Sequence, residues 1–266
     1  MFQFEYAREA LKNGLALQAT LGTNPFKFGA VAGSDAHNGL SAIEENNFFG
    51  KFVSGEPRPD RWNEDAMTQG DRVVKGYEMS AAGWTGVWAT ANTREAIWDA
   101  MMRRETYATS GPRMSVRFFG GFDFTAKDAA AHDPAQVGYA KGVPMGSDLG
   151  GAPAGKAPVF LVAASKDPIG GNLDRIQIVK GWLDASGITH EKIYDVAWGD
   201  SNRRKPSANG KLPPVGNTVD LDTATFRNTI GDAELITVWK DPDFNASQAA
   251  FYYVRVLEIP TPRWTL

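Results

Sequence analysis

A chain of 266 residues with 42% hydrophobic and 22% charged residues has enough apolar material for a buried core and is not a disordered polymer. Its 28 basic and 31 acidic residues leave a net charge of −3, which argues against broad binding to nucleic acid or to an anionic membrane surface. Cysteine is absent, so disulfides, thiolate nucleophiles and Cys-ligated metal centres are excluded, and no apolar run approaches the roughly 18 residues that span a bilayer.

The pattern of Phe4, Ala7, Leu11 and Leu15 predicts an amphipathic helix over residues 3–21, closed by Gly22 and blocked by Asn24-Pro25. Residues 26–33 form a short, mostly apolar run that suits a strand buried on both faces, as in a parallel sheet. Residues 38–91 are rich in glycine and weakly patterned, although Trp62, Tyr77, Trp84 and Trp88 suggest an ordered segment. A second helix is predicted over 93–104, with Asn92 as its N-cap and Glu95 completing a capping box.

Beyond residue 113 the texture becomes β-rich. Candidate strands are Arg113–Phe119, Val159–Ser165, Leu173–Leu183, Lys192–Trp198, Glu234–Trp239 and Ala250–Ile259, the signature of an antiparallel sandwich. The alternation in Arg175-Ile176-Gln177-Ile178-Val179-Lys180 predicts one wet face. Residues 126–156 and 199–222 read as long loops, with no helix longer than a turn or two in this half. The expected organisation is an α/β part over 1–112 and a sandwich-like part over 113–266.

Three histidines are present: His37, His132 and His190. His37 lies in Gly33-Ser34-Asp35-Ala36-His37-Asn38-Gly39, directly after the predicted buried strand, where ligands gather in α/β folds. Residues two apart in extended chain point the same way, so Asp35 and His37 can present a carboxylate oxygen and an imidazole nitrogen to one divalent cation. Asp-x-His is a short pattern, however. Asp35 as a turn former and His37 as a solvated loop residue explain the same letters, and the residues alone leave both readings open. His132 and His190 are expected at the surface, His190 just ahead of a strand. Arg203-Arg204-Lys205 reads as a solvated basic loop. No dinucleotide or phosphate loop and no Gly-x-Ser-x-Gly elbow occurs.

Longer motifs carry a resemblance. They include Asn24-Pro25-Phe26-Lys27-Phe28-Gly29, Gly33–Gly39, Glu45-Asn46-Asn47-Phe48-Phe49-Gly50-Lys51, Ser80–Ala89 with its Gly83-Trp84-Thr85-Gly86-Val87-Trp88, and Arg103-Arg104-Glu105-Thr106-Tyr107-Ala108-Thr109-Ser110-Gly111. Leu173–Gly181, Pro213–Val219 and Tyr252–Trp264 continue the match. The chain resembles the C-terminal part of a large bacterial domain-of-unknown-function family that is itself similar to the PHP (polymerase and histidinol phosphatase) metallohydrolases. The resemblance implies that residues 1–112 are the closing segment of a distorted β/α barrel and that 113–266 are an appended β-sandwich-like domain. It also implies that Asp35 and His37 are metal ligands, with Ser34 and Asn38 as candidate contacts behind them or to substrate. The implied cofactor is a divalent metal (Zn, Mn, Fe or Mg), and the implied substrate is a small phosphate or related ester.

The chain departs from that pattern in having no His-x-His motif. The expectation is therefore a C-terminal fragment, incomplete as a catalyst on its own, with the missing barrel segment and any signal peptide upstream. Compartment stays open, periplasmic if such a leader exists. The alternatives are a non-catalytic binding or structural module, or a truncated inactive product.

Overall fold

A computed structural model describes residues 6–37, 39, 42–48, 50–51, 58–79 and 83–266. The first helix, α1 (Ala7–Leu21), ends where expected: Gly22 adopts φ 76° and donates its N–H to the Gln18 carbonyl at 3.0 Å. Left-handed backbone costs glycine little, which is why it stops the helix. Of the predicted stripe, Leu15 is buried and Leu11 half-buried, Ala7 is exposed, and Phe4 lies outside the described residues. The return from the helix is tight. A Cβ on Gly14 would sit 2.2 Å from the Asn24 Oδ1, which accepts the Phe26 N–H at 2.9 Å.

Residues 26–33 correct the expectation of a buried strand. They belong to no sheet, and Phe28 and Val31 are 43% and 62% exposed. Thr85 anchors them instead: its Oγ1 donates to the Ala32 carbonyl at 2.6 Å and accepts from the Ala32 N–H at 2.9 Å. The Gly83 N–H adds a bond to the Gly33 carbonyl at 3.0 Å. An apolar run states that a segment suits burial, but a strand also needs a backbone ladder with a neighbour, and among the described residues none pairs with it in a sheet.

The region read as irregular holds a hairpin, β1 (Asp65–Gln69) with β2 (Arg72–Lys75). Next comes an antiparallel pair, β3 (Thr85–Val87) with β4 (Thr106–Ala108), and the intervening α2 (Arg94–Met102) closes that unit. The cap of α2 differs from expectation by one residue: Thr93, not Asn92, is extended and accepts the Ala96 N–H on its hydroxyl at 3.2 Å. Ala100 is the buried residue of this helix, whereas Trp98 and Met102 are more than half exposed.

The second half follows the predicted strands closely. The strands of this half are β5 (Ser115–Gly121), β6 (Gly142–Pro144), β7 (Val159–Ser165), β8 (Leu173–Leu183), β9 (Thr189–Trp198), β10 (Glu234–Lys240) and β11 (Ala250–Glu258), and β6 is not among those anticipated. They form two antiparallel sheets, ordered β10-β7-β5-β6 and β11-β8-β9. Phe118, Phe160, Val162, Leu173, Ile176, Ile178 and Leu235 make the core these sheets share. The architecture is thus mixed α/β with antiparallel sheets and a β-rich second half. Among the described residues no strands close into a barrel. Helix α1 packs on β8 and β9, where Arg8 reaches the Tyr253 hydroxyl and the Glu191 carboxylate, both at 2.8 Å.

Two expectations for this half are corrected. Residues 126–156 are not one loop: they contain α3 (Ala126–Ala129), α4 (Pro134–Lys141) and β6. Asp133 caps α4 by accepting the Ala135 and Gln136 N–H groups, both at 3.0 Å, and Pro134 starts it, so the local signal was Asp-Pro. Lys180 shares the inner side of β8 with Ile176 and Ile178 and is buried. There it meets Asp241 Oδ2 at 2.6 Å and the Asp243 carbonyl at 2.7 Å, while the Tyr252 hydroxyl donates to the same Asp241 oxygen. Burial of the ammonium is tolerated because it is paired with a carboxylate and hydrogen-bonded to a carbonyl. The second correction is that Arg204 is not a solvated basic residue. It is buried, pairs with Asp174 Oδ1 at 2.6 Å and donates to the Gly199 and Pro213 carbonyls, pinning the 199–213 loop to β8. Among the described residues no helix is long and apolar enough to cross a membrane.

Candidate functional site

The loop that follows residues 26–33 brings the two predicted ligands together. His37 Nε2 lies 3.2 Å from Asp35 Oδ1, and both side chains are about half exposed. The backbone reason differs from the one anticipated. Asp35 is not extended but left-handed at φ 50°, a conformation that Asp tolerates better than most residues. It is therefore the kink at Asp35, rather than a two-residue alternation along a strand, that accompanies the approach of the two side chains.

A third residue, unassigned by sequence reasoning, completes the geometry. Lys51 forms an ion pair with Asp35 Oδ2, and its backbone carbonyl accepts the His37 N–H at 2.9 Å. Lys51 thus holds Asp35 through its side chain and His37 through its main chain. Its ammonium first, and His37 second, hold the Asp35 carboxyl below the usual carboxylate range. Lys51 falls in one of the motifs that carry the family resemblance, yet no local spacing links it to Asp35. Only the folded chain brings the two together.

The other candidates fall elsewhere. The Ser34 hydroxyl accepts the Ala36 N–H at 3.3 Å and so shapes the turn. Asn38 lies outside the described residues. His132 is exposed just ahead of α4. His190 is not ahead of a strand but inside β9, stacked on Trp182 with ring centroids 5.3 Å apart and bonded to Asp184 at 2.6 Å. His190 also lowers the Asp184 carboxyl, helped by the Ile188 N–H. A buried carboxylate, Glu105, accepts the Tyr139 hydroxyl and ties the β4 end of α2 to α4.

The donor set suits a divalent metal in type but is short in number. Two ligands about 2.0–2.2 Å from a tetrahedral metal stand roughly 3.4 Å apart, close to the separation seen between Asp35 and His37. Among the described residues, no group of three or more His, Cys, Asp or Glu side chains converges to hold a metal. Two ligands give weak binding, because affinity and geometry both depend on the rest of the shell.

Fold and site together define a mixed α/β protein whose N-terminal part presents an Asp-x-His turn beside a β-rich half. The chain belongs to the family described as protein of unknown function (DUF3604), which matches residues 1–266. No curated protein and no solved structure matches it.

Proposed function

We propose that this chain is the C-terminal portion of a divalent-metal-dependent hydrolase of phosphate or related esters, similar to the PHP metallohydrolases. In this reading residues 1–112 close a β/α barrel and residues 113–266 form the appended domain. The observation that carries it is the approach of Asp35 Oδ1 and His37 Nε2 to 3.2 Å in an exposed turn. A carboxylate oxygen and an imidazole nitrogen suit Zn, Mn, Fe or Mg. A bound divalent metal supplies Lewis acidity for ester hydrolysis. Asp35 and His37 hold it, and the remaining ligands come from residues beyond this pair. A second observation supports the barrel assignment. Phe28 and Val31 of the 26–33 segment, with Trp98 and Met102 of α2, leave apolar surface that further barrel strands and helices would cover.

The test is Mn2+ binding, followed by water proton relaxation, in the wild-type chain and in His37→Ala. The expected result is weak binding by the wild type that falls at least severalfold in the variant. Equal binding by the two, or none by the wild type, would return the chain to the alternative reading of a non-catalytic module.

A further inference from the structure

The sequence holds three Asn-Gly pairs, Asn13-Gly14, Asn38-Gly39 and Asn209-Gly210. Such pairs can react with themselves, because glycine has no side chain to keep the asparagine amide away from the following backbone nitrogen. The fold treats them differently. Asn13-Gly14 lies inside α1, where Gly14 is buried and its N–H belongs to the helical ladder. Asn38 lies outside the described residues. Asn209-Gly210 sits at the tip of an exposed turn, in which the Gly210 N–H donates to the Ser207 carbonyl at 2.8 Å and the Ser207 N–H to the Lys211 carbonyl at 3.0 Å. Gly210 is left-handed at φ 77°, the conformation that closes this kind of hairpin turn.

We propose that Asn209 is a site of spontaneous deamidation and isomerisation, promoted by the Ser207 hydroxyl. Asn209 Oδ1 accepts the Lys211 N–H at 3.2 Å, and Ser207 Oγ lies 2.6 Å from the same oxygen. An amide oxygen that reaches past Gly210 to Lys211 lays the Asn209 Cγ over the Gly210 peptide, beside the nitrogen that attacks it. Gly210 N gives its proton to hydroxide and bonds to Asn209 Cγ, and the carbonyl electron pair moves onto Oδ1. Both donors already face the oxygen where that charge develops. Ser207 Oγ also lies 2.9 Å from the Lys211 carbonyl, and its one proton goes to Oδ1 as the charge builds there. Collapse breaks the Cγ–Nδ2 bond, and the nitrogen leaves as ammonia with a proton from water. The resulting succinimide takes up one water at either ring carbonyl and opens to aspartate or isoaspartate. The Gly210 bond to Ser207 must open first, which an exposed turn allows far more readily than a helix interior.

The test incubates the whole chain at mildly alkaline pH in water labelled with heavy oxygen, then exchanges it into ordinary water for tryptic digestion. Cleavage after Lys12, Lys27, Lys51, Arg204 and Lys211 places the three pairs on peptides 13–27, 28–51 and 205–211, so mass spectrometry follows each one separately. Asn209 is expected to take up heavy oxygen, as aspartate and isoaspartate, roughly tenfold or more faster than Asn13 in the folded chain, with the two rates converging in urea. Ser207→Ala should slow Asn209 severalfold in the folded chain and leave its rate in urea unchanged. No conversion at Asn209, or a folded-state rate no higher than that of Asn13, would overturn the site. A folded-state rate in Ser207→Ala equal to or above that of wild type would overturn the role of Ser207.

Discussion

Glu258 offers the sharpest test of the packing described above. It is the last residue of β11, and its Oε1 is buried without a hydrogen-bond partner. A Cβ on Gly170 would lie 3.1 Å from that oxygen, so the 166–171 loop presses directly on it. The loop cannot easily retreat, because the Lys166 ammonium is bonded to the Asp167, Pro168 and Gly170 carbonyls at 2.8, 3.1 and 3.0 Å. Burial first, and the Asp167 carboxylate second, push the Glu258 carboxyl up to about 7 from 4.5, against smaller opposing effects of the Gly171 N–H and Lys166. Between those two values the folded chain keeps a proton that the unfolded chain releases. Stability from this group is therefore complete below about pH 4.5 and is lost as pH rises towards 7. The loss amounts to about 3 kcal/mol, at 1.36 kcal/mol for each pH unit between the two values. Glu258→Gln carries no charge at either end. It should be close to wild type at pH 4.5 and more stable at pH 8 by about 1–3 kcal/mol, the lower figure allowing for an amide with an unpaired N–H. Urea unfolding at the two pH values measures this directly. A stability difference between variant and wild type that does not change with pH would refute the argument.

Two further predictions concern groups whose partners only the folded chain reveals. Lys180→Met should cost about 3 kcal/mol or more by urea unfolding, because it leaves the Asp241 carboxylate buried without its cation, and adding Asp241→Leu should recover much of that loss. Independent, additive effects of the two substitutions would show that the pair is not coupled. At the start of α2, Thr93→Ala should lower stability by about 1 kcal/mol. Asn92→Ala should change it by less than about 0.5 kcal/mol, and the reverse order in thermal melts would restore Asn92 as the cap.

Much of the second half was legible from local pattern. The limits of Val159–Ser165 and Leu173–Leu183 are those read from residue type alone, since long runs of β-branched and aromatic residues bounded by Gly, Pro and Asp leave little choice. The segment at 26–33 misled for the opposite reason. Its apolar letters report what the segment would bury, whereas strand formation needs a partner edge, and the described residues place a Thr85 hydroxyl there rather than a parallel neighbour. Helix α4 was missed because its eight residues carry almost no apolar stripe, although the Asp-Pro start was visible.

The candidate site divides in the same way. Sequence by itself determined the family resemblance, the pair of donor types in Asp35 and His37, the absence of cysteine chemistry, and the β-rich character of residues 113–266. Those are properties of residue type and short-range order. Tertiary structure alone decided that Lys51 closes on Asp35, that Lys180 forms a buried ion pair and that Arg204 passes from expected surface to another. It also decided that Glu258 ends against a loop that denies one of its oxygens a partner. Each of these depends on which groups meet across long stretches of chain, and charge and burial at a position are set by those neighbours rather than by the residue's own letter.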